Sequence, residues 1–367
     1  MSNARKLADN LPSEGQLSGR NLIINGQCQV NQRGDSTSIS TQGYYGPDRF
    51  NLGVNGRDQW VVSVSQASDG PEGYSNSYKL QTTTAETSIT DTEYVFVRQI
   101  VEAQNLQHLN YGTSSAKQLT ASFWVKSSIA ATFGVFMYQY DGGRTIGSTY
   151  TINSANTWEY KTVTFAGDTG GTINDDNGQG MYLAFTLAAG SNLTTTDNTS
   201  WGAYSAGKLG YGHSTAANAV MTTTNATWQV TGVQLEVGPQ STPFEHEPYD
   251  TTIRKCGRYY QRISADAGFD YGTVALAIGS TGPWYVPMPL KYGDMRADPT
   301  LSYSAVGDFR ITLQHSGSAT CTSMSIGYNH TDRPMLSVQA GSSSAGSIKL
   351  FGFAGASSGW LAFDAEL

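Results

Sequence analysis

One eight-residue segment sets the pattern that much of the chain repeats: Leu119-Thr120-Ala121-Ser122-Phe123-Trp124-Val125-Lys126. Its odd-numbered positions are all apolar, whereas its even-numbered positions carry threonine, serine, tryptophan and lysine. Because successive side chains of a β-strand point to opposite faces of a sheet, this alternation predicts a half-buried strand. We expect the odd-numbered positions to face a core and the even-numbered positions to face outward.

Runs of strand-forming residues recur on both sides of this segment, separated by clusters of turn residues. They span residues 60–64, 93–101, 133–140, 158–165, 181–187 and 228–237. In the last run the apolar positions change parity at Gly232, which predicts a β-bulge that re-aims the strand. Short strands without a long helical period predict an all-β fold, with a β-sandwich over residues 21–248.

The strand rhythm stops at three closely spaced prolines, Pro239, Pro243 and Pro248. Residues 249–263 then carry the most convincing helical pattern in the chain, which predicts a short linker helix. Short strands return between glycine and serine residues over 264–367, which predicts a second, smaller β-sandwich domain at a tip or a trimer contact. Residues 1–20 form a polar arm, which we expect either to stay flexible or to become ordered as an anchor on assembly.

The composition excludes several classes of function. Only 14% of the 367 residues are charged, the net charge is −7, and the chain contains 41 glycines, 21 tyrosines and 7 tryptophans. A protein that binds a nucleic-acid backbone needs a basic surface, so we expect no nucleic-acid partner. No stretch approaches the ~20 apolar residues of a membrane-spanning helix, so we expect no membrane insertion. Isolated histidines and the absence of nucleophile or zinc motifs predict that the protein is not an enzyme.

Five motifs follow one another in order along the chain. They are residues 21–34 (NLIINGQCQVNQRG), 45–50 (YGPDRF), 121–127 (ASFWVKS), 156–161 (NTWEYK) and 232–238 (GVQLEVG). Together they resemble a family of tail, fibre and minor virion proteins of marine phages, over roughly residues 1–262. The resemblance implies that the first sandwich is a jelly roll similar to carbohydrate-binding modules, displayed on a virion.

This resemblance implies a structural component of a phage virion, a fibre, tail or decoration protein, displayed for attachment to a host surface. Fibres favour trimers, so we expect a homotrimer whose arm contacts other virion proteins, with a host-surface glycan as a further partner. One alternative is a dedicated glycan-binding receptor-binding protein. A second alternative is a polysaccharide depolymerase, which two suitably spaced carboxylates would require. The position on the particle and the identity of the receptor stay open.

Three aromatic residues are candidates for glycan contact. Sugar binding rests on aromatic faces against pyranose C–H groups, with polar groups at the rim. Trp124 is the best candidate, because its neighbours Phe123 and Val125 take the core face. Tyr44 and Tyr45 lie beside glycines in a predicted loop. The alternative for Trp124 is a packing role, either in a core or in a trimer contact.

Four residues between two predicted strands are candidate calcium ligands: Asp168, Asp175, Asp176 and Asn177. Hard oxygen ligands in a loop suit Ca²⁺, although the spacing does not match an EF-hand. The resemblance to carbohydrate-binding jelly rolls, which often carry a structural calcium, favours this hypothesis. The alternative is a solvated acidic loop, and apart from this candidate calcium site we expect no cofactor.

Overall fold

The computed structural model describes residues 19–56, 59–265, 273–277, 283–288, 290–313, 317–341, 349–354 and 359–367. The chain divides into two compact units, Met1–Thr252 together with Leu367 (unit 1) and Ile253–Glu366 (unit 2). The first 18 residues of the predicted arm over 1–20 lie outside the described residues. Both units are built from antiparallel sheets, which confirms the all-β prediction.

Unit 1 contains a six-stranded sheet and a seven-stranded sheet. From edge to edge, the strands of the six-stranded sheet are β1 (Ser36–Ile39), β4 (Val61–Ala67), β5 (Ser77–Thr84), β13 (Thr227–Val237), β7 (Leu119–Ser127) and β10 (Glu159–Phe165). The strands of the seven-stranded sheet are β12 (Gly202–Ala203), β9 (Arg144–Thr151), β8 (Thr132–Gln139), β11 (Gln179–Ala189), β6 (Tyr94–Glu102), β3 (Asn51–Asn55) and β2 (Gly43–Tyr44).

The core of unit 1 takes the inward residues of both sheets. On β7, all four odd-numbered positions from Leu119 to Val125 are fully buried, as the alternation predicts. The core is rich in aromatic rings: Phe123 packs edge-to-face on Phe185 of the other sheet, with ring centroids 4.9 Å apart. The Trp228 indole donates a hydrogen bond to the Tyr150 hydroxyl (3.1 Å). This bond satisfies the indole N–H, which would otherwise be buried without a partner.

The predicted bulge in β13 is confirmed. Pairing of β13 with β7 shifts register between Thr231 and Gln234, and Gly232 has φ +59°. A residue with a Cβ rarely adopts this left-handed conformation, so glycine suits the position. Beyond the bulge, Glu236 turns its carboxylate away from the core, where it accepts hydrogen bonds from the Thr242 N–H (2.8 Å) and hydroxyl (2.6 Å). This contact fixes the proline-rich segment after β13 against the sheet.

The YGPDRF motif at 45–50 has a structural explanation. The Asp48 carboxylate is buried and accepts hydrogen bonds from the backbone N–H (2.9 Å) and side chain (2.6 Å) of Gln32. Arg49 is also buried, and its guanidinium donates to the carbonyl oxygen of Ile100 (2.6 Å). Asn25, in the motif at 21–34, packs here too, because its side-chain amide donates to the Asp48 carbonyl oxygen (3.0 Å). These motif residues therefore hold the first sandwich together.

Short helical segments connect the strands. Among the described residues, α-helices span Ala219–Thr222 and Tyr249–Gly257, and 3₁₀ helices span Ala103–Leu109, Ser191–Leu193, Ala206–Lys208, Thr215–Asn218 and Val306–Asp308. The helix predicted over 249–263 is thus shorter than expected, because Tyr260–Ser264 pairs as a strand with Trp360–Asp364. Within the described residues, no helix has the length and apolarity that crossing a membrane requires.

Unit 2 contains a three-stranded and a six-stranded antiparallel sheet. The first has the order β14 (Tyr260–Ser264), β22 (Trp360–Asp364) and β17 (Thr300–Tyr303). The second has the order β15 (Thr273–Ala277), β21 (Lys349–Phe353), β18 (Phe309–Leu313), β19 (Gly317–Tyr328), β20 (Met335–Ala340) and β16 (Trp284–Pro287). Its separate core includes Trp284, Phe309 and Phe363. A smaller second β domain is therefore present, as predicted.

Candidate functional site

The outer surface of the six-stranded sheet of unit 1 carries two adjacent rows of chemically distinct side chains. In one row, Thr231 of β13 and Tyr160 of β10 lie on either side of Trp124 of β7. In the next row, Lys79 of β5 and Lys126 of β7 lie on either side of Gln229 of β13. The rows are two residues apart along each strand, which is about 7 Å. We call this surface the Trp124 face.

The aromatic row presents two rings to the outside. Trp124 is half-buried and Tyr160 is 44% exposed. Their ring centroids are 5.4 Å apart with an interplanar angle of 52°. Trp124 thus lies on the outer face of its strand, as predicted, and its ring is not part of the sandwich core. The pair offers apolar ring surface at a position that solvent reaches.

The polar row is organised by Asp69, in the turn after β4. The Asp69 carboxylate forms an ion pair with the Lys126 ammonium and accepts a hydrogen bond from the Trp158 indole N–H (3.3 Å). Lys126 also lies over the Trp158 ring, 4.9 Å from its centroid. Partial burial opposes ionisation of Asp69, but the hydrogen bonds from Lys126 and Trp158 outweigh it and hold the carboxyl pKa below its usual value. The network fixes a charged rim beside Trp124.

A ridge of three rings borders the Trp124 face. The Tyr74 ring contacts Phe244 and His246, with centroid separations of 5.4 Å in both cases. Burial raises the pKa of Tyr74 to about 12, and the neighbouring Tyr160 phenol adds to the effect. Tyr74 lies over the bulge, since a Cβ at position 232 would be 2.8 Å from its ring. Because Gly232 has no side chain, the Tyr74 ring can pack over this position and form one wall of the site.

Two polar atoms at the base of the face lack hydrogen bonds. Among the described residues, neither Gln229 Oε1 nor Thr231 Oγ1 has a hydrogen-bond partner, and both atoms are buried. Buried polar atoms are normally paired with protein groups or with ordered water. The sheet surface under Trp124 and Lys126 thus retains hydrogen-bonding capacity that the described chain does not use.

The other two aromatic candidates lie elsewhere. Tyr44 belongs to β2 of the seven-stranded sheet, and its hydroxyl donates to the carbonyl oxygen of Leu367 (2.9 Å), which clusters with unit 1. The Tyr45 hydroxyl lies 3.1 Å from that of Thr41, and its ring packs against the core of unit 1. The structure therefore does not bring Tyr44 or Tyr45 to the Trp124 face.

The four candidate calcium ligands are also not brought together. Asp168 is fully buried and its carboxylate accepts two contacts from Arg144 Nε, at 2.8 and 3.0 Å. Asp175, Asp176 and Asn177 are exposed, and Asp176 accepts the Gly178 N–H (2.8 Å). No group of three or more histidine, cysteine, aspartate or glutamate side chains is placed to hold a metal ion in the described part of the chain. Asp168 instead forms a structural ion pair.

Sequence reasoning missed several residues of the site. Tyr160 and Lys126 carry a signal that was available, since each lies at an outward position of a predicted strand. Asp69 and Tyr74 come from a turn, where no periodicity indicates direction. Their role depends on contacts with Lys126 and Gly232, which are far away in the sequence.

A second aromatic surface lies on the outside of the seven-stranded sheet. It contains Tyr94, Phe96, Phe136, Tyr138, Tyr140, Tyr182 and Tyr204, and we call it the tyrosine face. Here the rings pack on each other: Tyr94 stacks on Phe96 at 4.9 Å, and Tyr138 contacts Tyr182 at 5.3 Å. The Arg98 guanidinium lies over both Phe96 and Tyr182, 5.4 and 4.9 Å from their centroids.

Comparison with known proteins finds several solved structures that are similar at low TM-scores. No family model matches the sequence. No curated protein matches it either. The enzymatically active domain of tailspike protein 4 of bacteriophage CBA120 is 11% identical with a TM-score of 0.34, and the match covers 59% of this chain but only 21% of that one.

Two carbohydrate-binding modules are similar at the same low level. The family 11 module of the Clostridium thermocellum cellulase Lic26A-Cel5E is 15% identical, with a TM-score of 0.29 and coverage of 57% of this chain and 98% of the module. The CBM22-1 xylan-binding domain of Paenibacillus barcinonensis Xyn10C is 11% identical, with a TM-score of 0.29 and coverage of 62% and 100%. Structural neighbours of the chain are thus carbohydrate-binding modules and a phage tailspike domain, and these comparisons do not identify the phage fibre family.

Proposed function

We propose that the protein binds a carbohydrate through the Trp124 face and does so as a displayed component of a phage virion that attaches to a host surface. The observation that supports carbohydrate binding is that an aromatic row and a polar row lie side by side on one sheet. Exposed aromatic surface at Trp124 and Tyr160 adjoins the Lys79, Gln229 and Lys126 row. A pyranose ring needs both elements, an apolar surface for its C–H face and polar groups for its hydroxyls.

Location on a virion is supported by the five ordered motifs of the sequence. The arm over 1–20 would then contact other virion proteins, and a homotrimer would present three copies of the Trp124 face. Repeated weak sites on one particle raise the overall avidity without any new contact, which suits attachment to a polymeric glycan. A dedicated receptor-binding protein would use the same face, so the two functions differ in the position on the particle.

We propose binding without hydrolysis. A glycosidase needs a carboxylic acid whose pKa is raised so that it can donate a proton. Near Trp124, the pKa of Asp69 lies below its usual value. This carboxyl group is therefore held in the ionised form, which suits ligand binding and not general acid catalysis.

A binding screen tests this proposal. The full chain would be run in native gels that contain individual neutral and acidic polysaccharides, and in parallel incubated with whole bacterial cells. We expect retardation by at least one polysaccharide, and loss of that retardation in Trp124→Ala at a melting temperature lowered by only a few degrees. Tyr204→Ala is a matched control, because Tyr204 is 47% exposed but lies on the tyrosine face. Absence of binding to every polysaccharide and to cells would overturn the proposal.

A further inference from the structure

We infer that the Trp124 face selects acidic saccharides, with the Lys79 ammonium as the group that recognises a sugar carboxylate. This inference rests on the proposed function, because it names the class of carbohydrate that the same face would bind. It comes from the distribution of charge over the polar row and from the way each charged group is already paired.

Lys79 is the charge that the described structure leaves uncompensated on this face. It is half-buried on β5, opposite Gln229 of β13 on one side and Ser65 of β4 on the other. Among the described residues, Lys79 has no ion-pair partner. An ammonium on a long apolar stem can lie along a sheet surface and keep its charged end available.

The other lysine of the polar row is already paired. Lys126 forms an ion pair with Asp69, so among the described residues Lys79 is the ammonium group of this row without a carboxylate partner. Lys79 is therefore the lysine of the row that is available to an acidic ligand.

The positions of the rows fit a uronic acid. A sugar ring stacked on Trp124 would lie about 7 Å along the strands and about 10 Å, two strand spacings, across the sheet from Lys79. In the orientation that turns the exocyclic carboxylate of a uronic acid towards the polar row, the long lysine side chain spans part of this separation. A hydrogen bond between an ammonium and a carboxylate is about twice as strong as one between neutral groups, so Lys79 favours the acid over the corresponding ester.

Matched polymers that differ only in charge test the inference. We would compare polygalacturonate, alginate and hyaluronan with their esterified, uncharged forms, using affinity gels and calorimetry at low and at high sodium chloride. At low salt we expect at least one acidic form to bind roughly tenfold more tightly than its ester, which corresponds to ~1.4 kcal/mol. The preference is expected to shrink at high salt, because exposed charges are then screened.

Variants assign the preference to one residue. Lys79→Gln is expected to remove most of the preference for the acid while leaving binding of the ester unchanged. Lys208→Gln is the matched control, because Lys208 ends the 3₁₀ helix that follows β12 of the seven-stranded sheet. It is expected to leave both affinities unchanged. Melting temperatures of both variants check that the fold is intact.

The outcomes separate the two proposals. Equal binding of acidic and neutral forms in all three pairs, or an unchanged preference in Lys79→Gln, overturns the inference and leaves carbohydrate binding standing. Binding of neutral polysaccharides alone also overturns the inference and leaves carbohydrate binding standing. If no polysaccharide of either kind binds, the proposed function fails, and the inference that rests on it fails as well.

Discussion

The two outer surfaces of unit 1 are both rich in aromatic residues, yet they differ in what the rings contact. On the tyrosine face the rings contact each other, and Tyr182 at its centre is only 5% exposed. On the Trp124 face the rings border an ion pair, a glutamine and an uncompensated lysine. Aromatic content alone therefore does not mark a binding surface.

The tyrosine face behaves as a second, smaller core. Gly53 of β3 has no side chain, and a Cβ there would lie 2.2 Å from the Phe96 ring, so this glycine lets Phe96 lie flat on the sheet. The segment after β12 covers one end, where the Thr186 hydroxyl donates to the Leu209 carbonyl oxygen (3.0 Å). Burial raises the pKa of Tyr182 well above its usual value. These contacts stabilise the sheet and leave less ring surface for a ligand.

The largest difference between the faces is expected in stability. Tyr182→Ala removes a ring that packs against four other aromatic rings, so we expect a loss of about 4 kcal/mol in the free energy of unfolding. Trp124→Ala removes a half-buried ring from an open surface, so we expect a loss of about 1 kcal/mol. Urea denaturation measures both values. An equally large loss in Trp124→Ala would identify Trp124 as a packing residue.

Acid is expected to weaken the cover of the tyrosine face. The neutral His213 ring accepts the Gly134 N–H at Nδ1 (3.3 Å), and its Nε2 lies 3.0 Å from Asn218 Oδ1. Burial lowers the pKa of His213 from 6.5 to about 4, and the bond to Asn218 offsets this only in part. Because the folded state favours the neutral form, its stabilising contribution is complete above about pH 6.5 and is lost as the pH falls towards 4.

The size of this effect follows from the two pKa values. At ~1.4 kcal/mol per pKa unit, the wild-type protein should lose about 3 kcal/mol more than His213→Gln between about pH 7.5 and about pH 4. Unfolding free energies of the two proteins at both pH values provide the measurement. The same pH dependence in both proteins would show that His213 does not titrate as described.

The bulge is expected to matter for the Trp124 face in particular. Gly232→Ala places a Cβ at φ +59° and against the Tyr74 ring, so we expect a loss of about 2 kcal/mol in unfolding free energy. Gly34→Ala is the matched control: its φ is +76°, but a Cβ there meets no atom within 4 Å. Backbone strain alone should then cost about 1 kcal/mol. Equal losses in both variants would mean that Tyr74 does not depend on Gly232.

The smallest effect on stability is expected at the charged rim. Asp69→Asn removes the ion pair with Lys126 but keeps an acceptor for the Trp158 indole. Because the Asp69 side chain is 45% exposed, the loss in unfolding free energy should not exceed about 0.5 kcal/mol. The released Lys126 should at the same time strengthen binding of acidic saccharides. Weaker binding of the acid in this variant would contradict the assignment of charge on the face.

Much of the fold could be predicted from local pattern. The alternation from Leu119 to Lys126 predicted the buried face of β7, and the change of parity at Gly232 predicted the bulge. The helix over 249–263 was predicted too long because residues 260–264 find their partner strand about one hundred residues later. No local pattern reports such a pairing.

The site was less accessible to sequence reasoning. Trp124 was placed on the correct face because its strand neighbours define the core side. Tyr44 and Asp168 have partners, Leu367 and Arg144, that only the tertiary structure reveals. Whether an aromatic or acidic residue is available for a ligand depends on such partners, and adjacency in the sequence does not show them.

The central claim is that carbohydrate binds on one outer surface of unit 1 and not on the other. It is tested most directly by two double variants, Trp124→Ala with Tyr160→Ala and Tyr140→Ala with Tyr204→Ala, titrated with the polysaccharide that the wild-type protein binds best. We predict at least a tenfold loss of affinity in the first variant and less than about a twofold change in the second. Retained affinity in the first variant, or loss confined to the second, would show that carbohydrate does not bind on the Trp124 face.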